Sequence, residues 1–152
     1  MASAPQTDED LARRLVIAYH EAGHAVAHRV AGGKVSTVEI SGDGSGGVTS
    51  TAEDGPTADT LTDWLVMILA GSEAEARFLV RHHGHWRTAA RRHARPGSRS
   101  DMANFRRYAT GSGISESTAR AAAERLVRTH WRRIEKVAAL LVKKGRITGR
   151  QV

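Results

Sequence analysis

The sequence His-Glu-Ala-Gly-His, residues 20–24, lies inside an apolar-rich segment that spans residues 11–31. In a helix, side chains four positions apart project from the same face, so the two histidines would lie side by side with the glutamate next to them. Two neutral imidazoles in that arrangement form half of a tetrahedral zinc site, and the carboxylate can accept a proton from a metal-bound water. The motif therefore predicts a zinc site with the chemistry of a peptidase.

The residues around this motif favour an α-helix. Thr7 is a candidate N-cap, the three acids that follow it suit the positive end of the helix dipole, and the glycines at 32 and 33 are a stop signal. Apolar residues recur at three- and four-residue spacing, which predicts a buried stripe beside the histidines. The stripe consists of Leu11, Leu15, Ala18, Ala22 and Val26.

The composition limits the class of protein. The chain has 152 residues, and we expect a single domain over residues 11–152 behind a flexible N-terminal tail, residues 1–10. There are no cysteines, so a zinc site must use histidine and carboxylate ligands. No apolar run of about eighteen residues and no secretory signal pattern occurs, so we expect a non-exported, cytoplasmic protein without a membrane span.

Positive charge is concentrated in residues 81–99, which contain six arginines, four histidines and no acid in a chain of net charge +7. We expect this segment to be a basic loop insertion. Such clusters can bind phosphates or acidic protein surfaces. However, Arg-rich solvated helix faces are common, and no signature of a nucleic-acid-binding fold accompanies this cluster. Composition alone therefore does not favour a nucleic-acid partner.

The hydrophobic pattern predicts a mainly α protein with one small β-hairpin, an α+β fold. Residues 34–40 and 46–51 have the composition of two short strands around a Gly-rich turn. A second helical pattern begins at Asp59. Gly71 and Ser72 lie in the middle of this pattern, where small residues would allow another helix to approach closely.

Two further helices are expected. The first follows a loop at residues 96–97, with Ser98 or Ser100 as its N-cap and Asp101 in its first turn. The second is a long final helix that Ser115 caps and Gly145 ends.

A catalytic zinc usually has three protein ligands and a water, so one ligand is missing from the first helix. His28 continues the row of histidines, but eight residues of helix rise about 12 Å, and two nitrogens on one ion must each lie about 2 Å from it. The pattern with a third histidine ten positions after the first also fails, because residue 30 is Val. The remaining candidates are Glu73, Glu75, the histidines of residues 81–99, and Asp101.

Three segments of the chain form a recognisable series. They are His-Glu-Ala-Gly-His-Ala-Val at 20–26, Ile-Leu-Ala-Gly-Ser-Glu-Ala-Glu-Ala at 68–76, and Ser-Asp-Met-Ala-Asn-Phe-Arg-Arg-Tyr-Ala at 100–109. Their identity and order resemble the peptidase domain of the FtsH family, the zinc proteases attached to a hexameric AAA ATPase. The resemblance runs from about residue 11 to the C-terminus. Its first segment is highly specific and its third is loose.

This resemblance implies an FtsH-peptidase-like helical domain that binds one Zn2+ through His20, His24 and Asp101. A carboxylate in the first turn of a capped helix would also, independently, be a fixed and deprotonated group suited to binding a cation. Glu21, which the first motif places beside the metal, would be the general base. Glu75 matches the first acid of the family's Ala-Ala-Glu-Glu pattern and would hydrogen-bond a ligand imidazole, setting its tautomer. The second acid of that pattern is replaced by Ala76.

The predicted function is a zinc endopeptidase, ATP-independent in itself, that cleaves unfolded or flexible polypeptide segments. We expect no ATPase module and no membrane span in this chain, so the substrate either is already flexible or arrives from a separate ATPase or adaptor. The alternative is a non-catalytic zinc-binding or regulatory module of the same fold, whose basic face binds an acidic partner or nucleic acid. A third hypothesis is direct DNA binding through residues 81–99.

Overall fold

The protein is described here from a computed structural model, which covers residues 7–83 and 96–152. Over those residues the chain forms five α-helices, three short strands and a terminal 3-10 turn. In chain order they are α1 (Asp8–Val30), β1 (Val35–Ile40), β2 (Gly47–Thr51), α2 (Leu61–His83), α3 (Pro96–Ala109), α4 (Glu116–Thr129), α5 (Trp131–Lys144), β3 (Arg146–Thr148) and the 3-10 turn Gly149–Gln151. The predicted mainly helical α+β fold is confirmed.

Helix α1 begins at the predicted cap. Thr7 Oγ1 accepts a hydrogen bond from the backbone N–H of Asp10 at 3.1 Å, and the Asp10 carboxylate accepts one from the N–H of Thr7 at 3.2 Å. This reciprocal capping box satisfies two N–H groups that the helix itself leaves unpaired. Residues 8–10, which were expected in the tail, are therefore the first turn of α1. Residues 1–6 of that tail lie outside the described residues.

Residues 17–28 of α1 are buried. Leu11, the first residue of the predicted stripe, is 41% exposed, whereas Ala18, Ala22 and Val26 are fully buried. Helices α2 and α5 pack on α1, and the residues buried in α1 begin at Ile17, beyond its first turns. The aromatic ring of Tyr19 stacks against both of these helices, on Phe78 of α2 and on Trp131 of α5.

Helices α1 and α2 cross at a glycine. A Cβ atom on Gly23 of α1 would lie 2.5 Å from the carbonyl oxygen of Ala70 and 2.7 Å from the Cβ of Ala74, both on α2. The two backbones can therefore approach this closely only because residue 23 has no side chain. Helices α3 and α4 pack on α2, and α5 packs on α1.

The predicted hairpin is confirmed and is extended by a third strand. Strands β1 and β2 pair antiparallel, with Val38 opposite Thr49. Strand β3, which was not predicted, pairs antiparallel with the other edge of β1 and places Ile147 opposite Val38. The strand order is β2-β1-β3, so within the described residues β2 is an edge strand.

The prediction of one long final helix is wrong. Ser115 does cap a helix there, and Gly145, in a left-handed conformation with a φ of 74°, ends one. Between them, however, the chain breaks at His130, whose backbone N–H still bonds to the carbonyl of Leu126. The break gives two separate helices, so that α4 packs on α2 while α5 packs on α1 and buries Trp131.

The expected basic loop at residues 81–99 is helical at both ends. Residues 81–83 complete α2 and residues 96–99 begin α3, while residues 84–95 lie outside the described residues. Helix α3 begins at Pro96 rather than after Ser98 or Ser100, because the fixed φ of proline suits the first turn of a helix. Asp101 consequently lies in the second turn of α3, not in the first. None of the described helices combines the length and the apolar character that a bilayer span requires.

Replacing Gly23 with alanine tests the helix crossing. We expect Gly23→Ala to lower the free energy of unfolding by about 1–3 kcal/mol, because its methyl group would press on the backbone of α2. A gain in helix propensity of about 1 kcal/mol would not offset this contact. Gly46→Ala is the matched control, since its Cβ would meet nothing within 4 Å. Denaturant unfolding of both variants measures the difference, and equal stabilities would contradict the close crossing.

Candidate metal centre

Helices α1 and α3 bring three ligand atoms to one point. Nε2 of His20 and Nε2 of His24 lie 3.1 Å apart, as one turn of α1 dictates for residues 20 and 24. Oδ2 of Asp101, on α3, lies 2.8 Å from the first nitrogen and 3.1 Å from the second. The structure thus brings together the three residues that were predicted as ligands. Their role as ligands stays a prediction.

The tautomers of both imidazoles are set by their other nitrogens. Nδ1 of His24 lies 2.9 Å from the backbone oxygen of Met67, and Nδ1 of His20 lies 2.9 Å from Oε2 of Glu75. A carbonyl or carboxylate oxygen only accepts, so each Nδ1 carries a proton and donates it. Nε2 of each ring is then the nitrogen that lies against Asp101 and that can bind a metal once it carries no proton. The structure places Glu75 where the resemblance implied it.

This donor set fits a zinc ion. Three donor atoms within 2.8–3.1 Å of one another are held together by a shared proton or by a metal ion, and a zinc ion would displace the proton. A tetrahedral zinc with bonds of about 2.0–2.1 Å holds its ligand atoms about 3.3 Å apart, close to the observed spacing. Two imidazoles and one carboxylate leave the fourth position open, as catalytic zinc sites do.

The electrostatics of the cluster keep Asp101 ionised. Burial acts to raise the pKa of its carboxyl group, but the charge and the hydrogen bonds of the two imidazoles outweigh burial and hold that pKa well below its usual range. For His24, burial lowers the pKa, but the charge of Asp101 and its hydrogen bond outweigh burial and raise the pKa to about 9. Asp101 is therefore a carboxylate because of the imidazoles, and not because of a first-turn position on its helix.

Helix α2 closes one side of this cluster through Gly71. A Cβ atom there would lie 2.9 Å from Nε2 of His20 and closer still to Nε2 of His24. Any side chain at residue 71 would therefore collide with the two imidazoles. The expectation that a small residue here allows close approach is confirmed for Gly71. The neighbouring Ser72 instead donates its hydroxyl to the carbonyl of Leu69.

Glu21 lies beside the cluster and is held by β2. Its side chain is buried, with 7% of the residue exposed, and its Oε2 accepts a hydrogen bond of 2.7 Å from the hydroxyl of Thr49. A Cβ atom on Gly47 would lie 2.8 Å from Cγ of Glu21, so the start of β2 also touches this side chain. Sequence reasoning missed the roles of Thr49, Gly47 and the Met67 carbonyl, because only the tertiary packing places them here.

An open cleft of about 380 Å3 leads to the cluster. Its walls come from β2, α2 and α3, and its inner end from α1. The lining residues are His20, Glu21, His24, Gly47, Val48, Thr49, Thr51, Trp64, Met67, Ile68, Ser100, Asp101, Asn104 and Tyr108. The potential ligands and Glu21 are therefore accessible to a molecule that enters between β2 and α3.

The structure directs two other candidate ligands elsewhere. Glu73 is buried and accepts a hydrogen bond of 3.1 Å from Nη1 of Arg120 on α4. His28 lies 2.7 Å from a carboxylate oxygen of Glu53, and its ring packs edge-on against Trp64. Within residues 7–83 and 96–152, three potential ligand side chains converge on one point at His20, His24 and Asp101.

A comparison with known families finds a match to the N-terminal part of the chain, which carries the two histidines of the site. Residues 4–72 match the model of a family described as Peptidase M50B-like. The match supports a metallopeptidase-family domain. It covers α1, the hairpin and the first half of α2, and so includes His20, Glu21 and His24 but neither Glu75 nor Asp101. The comparison with curated proteins gives no match.

The hydrogen bond from His20 to Glu75 can be tested by metal affinity. We expect Glu75→Gln to weaken zinc binding by about 10- to 100-fold, because the amide lacks the charge that makes the imidazole a stronger ligand. Competition with a chromophoric chelator measures the affinity. Glu39→Gln, on the exposed face of β1, is the control and should bind zinc as the parent does. Equal affinities for all three proteins would remove the supporting role of Glu75.

Proposed function

We propose that the protein is a zinc-dependent endopeptidase of the FtsH type, which hydrolyses peptide bonds in unfolded or flexible polypeptide segments. One observation carries the proposal. Three ligand atoms converge at the end of an open cleft, with a buried carboxylate, Glu21, beside them. The family match supports the coarser statement of a metallopeptidase-family domain.

The three segments that resemble the FtsH family support the finer assignment, because all of them contribute to this one site. The first provides His20 and His24. The second provides Gly71, which leaves space for the cluster, and Glu75, which lies against His20. The third provides Asp101, 81 positions after His20 in the chain.

His20, His24 and Asp101 would hold the metal, with the two rings oriented by Glu75 and by the Met67 carbonyl. Zinc bound there supplies Lewis acidity, which lowers the pKa of a water and polarises the carbonyl of the scissile peptide bond. The residues of the chain provide the rest of the site. They fix the donor atoms before substrate arrives, so that little reorganisation is needed during the reaction.

Glu21 moves the proton. Its carboxylate takes a proton from the attacking water, whose oxygen forms a bond to the carbonyl carbon. As the carbon–nitrogen bond breaks, Glu21 gives that proton to the nitrogen of the leaving amine. The hydroxyl of Thr49 holds Oε2 of Glu21 at 2.7 Å and so restricts the orientation of the carboxylate.

The shape of the cleft supports a flexible substrate. Strand β2 is an edge strand among the described residues and lines the cleft next to Glu21. An extended segment can add to such an edge through main-chain hydrogen bonds. A folded domain does not present an unpaired strand to a cleft of about 380 Å3. The substrate is therefore an unfolded or flexible segment.

Glu21→Gln tests the proposal directly. We expect this variant to retain zinc at one equivalent, because residue 21 is not among the converging ligands, and to lose cleavage of an unstructured protein such as casein, because an amide cannot accept the proton. Metal analysis and a gel-based cleavage assay measure the two effects. A variant that cut as fast as the parent would show that Glu21 is not the base. A parent that binds zinc but never cleaves would instead favour the non-catalytic module.

The contact from Thr49 gives a second prediction. Thr49→Val keeps the shape of the side chain but removes its hydrogen bond to a carboxylate, and we expect kcat to fall by about tenfold with zinc content unchanged. Thr37→Val, on β1 and outside the cleft, is the matched control and should leave kcat as it is. If both variants had the kcat of the parent, the Thr49 hydroxyl would have no part in orienting Glu21.

A further inference from the structure

Helix α3 presents a row of polar side chains to the cleft. Ser100, Asn104 and Tyr108 all line it, and their four-residue spacing places them on one face of the helix. No side chain of the three forms a hydrogen bond with another residue in the ranges 7–83 and 96–152. An adjacent face of α3 is anchored in the core by Phe105, which is buried. The row is therefore held in place by α3 while its polar groups face the cleft without a partner from the described chain.

The polar row and strand β2 run along the cleft from the same end. At the inner end, Asp101 lies against the histidines and Thr49 lies against Glu21. At the other end, Thr51 donates its hydroxyl to the carbonyl of Glu53, and the Tyr108 hydroxyl lies close to Gly55 in the same loop. A chain segment that follows β2 outwards from the metal centre therefore also passes the polar row.

The spacing of the row suits an extended backbone. Residues four apart on a helix are separated by a rise of about 6 Å. A peptide in the extended conformation repeats every two residues, about 6.6–6.8 Å, and each repeat presents one N–H and one C=O on each edge. A segment paired with β2 through one edge leaves its other edge unpaired, and that edge faces α3.

We propose that Ser100, Asn104 and Tyr108 hold the outer edge of an extended substrate backbone, opposite β2. This inference rests on the proposed peptidase function and deepens it by naming how the substrate is recognised. Asn104 is central, because its carboxamide both donates and accepts, as a peptide group does. Recognition of this kind reads the backbone rather than particular side chains. The three residues are positioning residues, and the substrate class is any polypeptide segment that can become extended.

The test compares peptide binding by two proteins, both zinc-loaded and both carrying Glu21→Gln so that the probe stays intact. The probe is a fluorescein-labelled, unstructured twelve-residue peptide, and anisotropy gives its Kd. We expect Asn104→Ala to raise the Kd by about 2- to 12-fold, the effect of one neutral hydrogen bond. In proteins that keep Glu21, the same substitution should raise KM by a similar factor and leave kcat within about twofold.

Backbone-methylated probes distinguish a direct hydrogen bond between Asn104 and the peptide from an indirect effect of Asn104 on the fold. Two versions of the peptide carry N-methyl groups at alternate residues, so that one set blocks the edge facing β2 and the other blocks the edge facing α3. The first set should lose affinity equally for the protein that keeps Asn104 and for the Asn104→Ala variant. The second set should lose affinity for the protein that keeps Asn104 but lose little further for the variant, because the hydrogen bond has already been removed there.

Two further variants extend the test, the first as a control and the second as a probe of another member of the row. The double substitution Ala103→Asn with Asn104→Ala moves the carboxamide to an exposed neighbouring position outside the cleft, and should bind as weakly as Asn104→Ala alone. Tyr108→Phe removes only the hydroxyl and keeps the ring against Trp64, and should raise the Kd a few-fold. Melting temperature and zinc content should match the parent in each case, since residues 103 and 104 are exposed and Phe keeps the ring of Tyr108.

The role of the row would be overturned if Asn104→Ala left the Kd unchanged. It would also be overturned if both methylated probes lost the same affinity in both proteins. If the parent cleaves peptide while the row variants behave as it does, this inference fails and the peptidase function stands. If the parent does not cleave an unstructured substrate and its Glu21→Gln variant does not bind the probe, the proposed function fails, and the inference fails with it.

Discussion

The close crossing of α1 and α2 is the constraint on which the site depends. Gly23 lets the backbone of α2 approach α1, and Gly71 lets it approach the two imidazoles. On α2, the Met67 carbonyl, Gly71 and Glu75 follow one another at four-residue spacing. One face of this helix therefore lies against His20 and His24. Because both backbones are helical and in contact, the imidazoles are fixed in position and tautomer by rigid elements.

The local features of this arrangement could be predicted from sequence, because they depend on residues a few positions apart. The Thr7 cap, the paired histidines and the hairpin are of this kind. The small residue at 71 was also recognisable, although sequence alone did not say that it faces imidazoles. The position of Asp101 could be named only through a family resemblance, because nothing local dictates that residues 81 positions apart meet.

The features that sequence reasoning missed arise from tertiary packing. The third strand exists because Gly145 turns the chain back so that Ile147 reaches Val38, and three residues carry too little pattern to predict a strand. The break at His130 interrupts a pattern that would suit one long helix, and its cause is that α4 and α5 bury their apolar faces against different partners. Pro96 was interpreted as part of a loop, yet proline also suits the start of a helix.

The proposed third ligand lies on a different helix from the two histidines. His20 and His24 belong to the rigid pair of helices, whereas Asp101 and the polar row belong to α3, which packs on α2. The guanidinium of Arg120 lies 3.6 Å from the sulfur of Met102, beside the ligand, and also binds Glu73 of α2. The position of α3 would therefore set the proposed metal ligand and the proposed substrate contacts together. Because one helix carries both, binding of a substrate backbone and completion of the ligand set would, under this proposal, favour the same arrangement of α3.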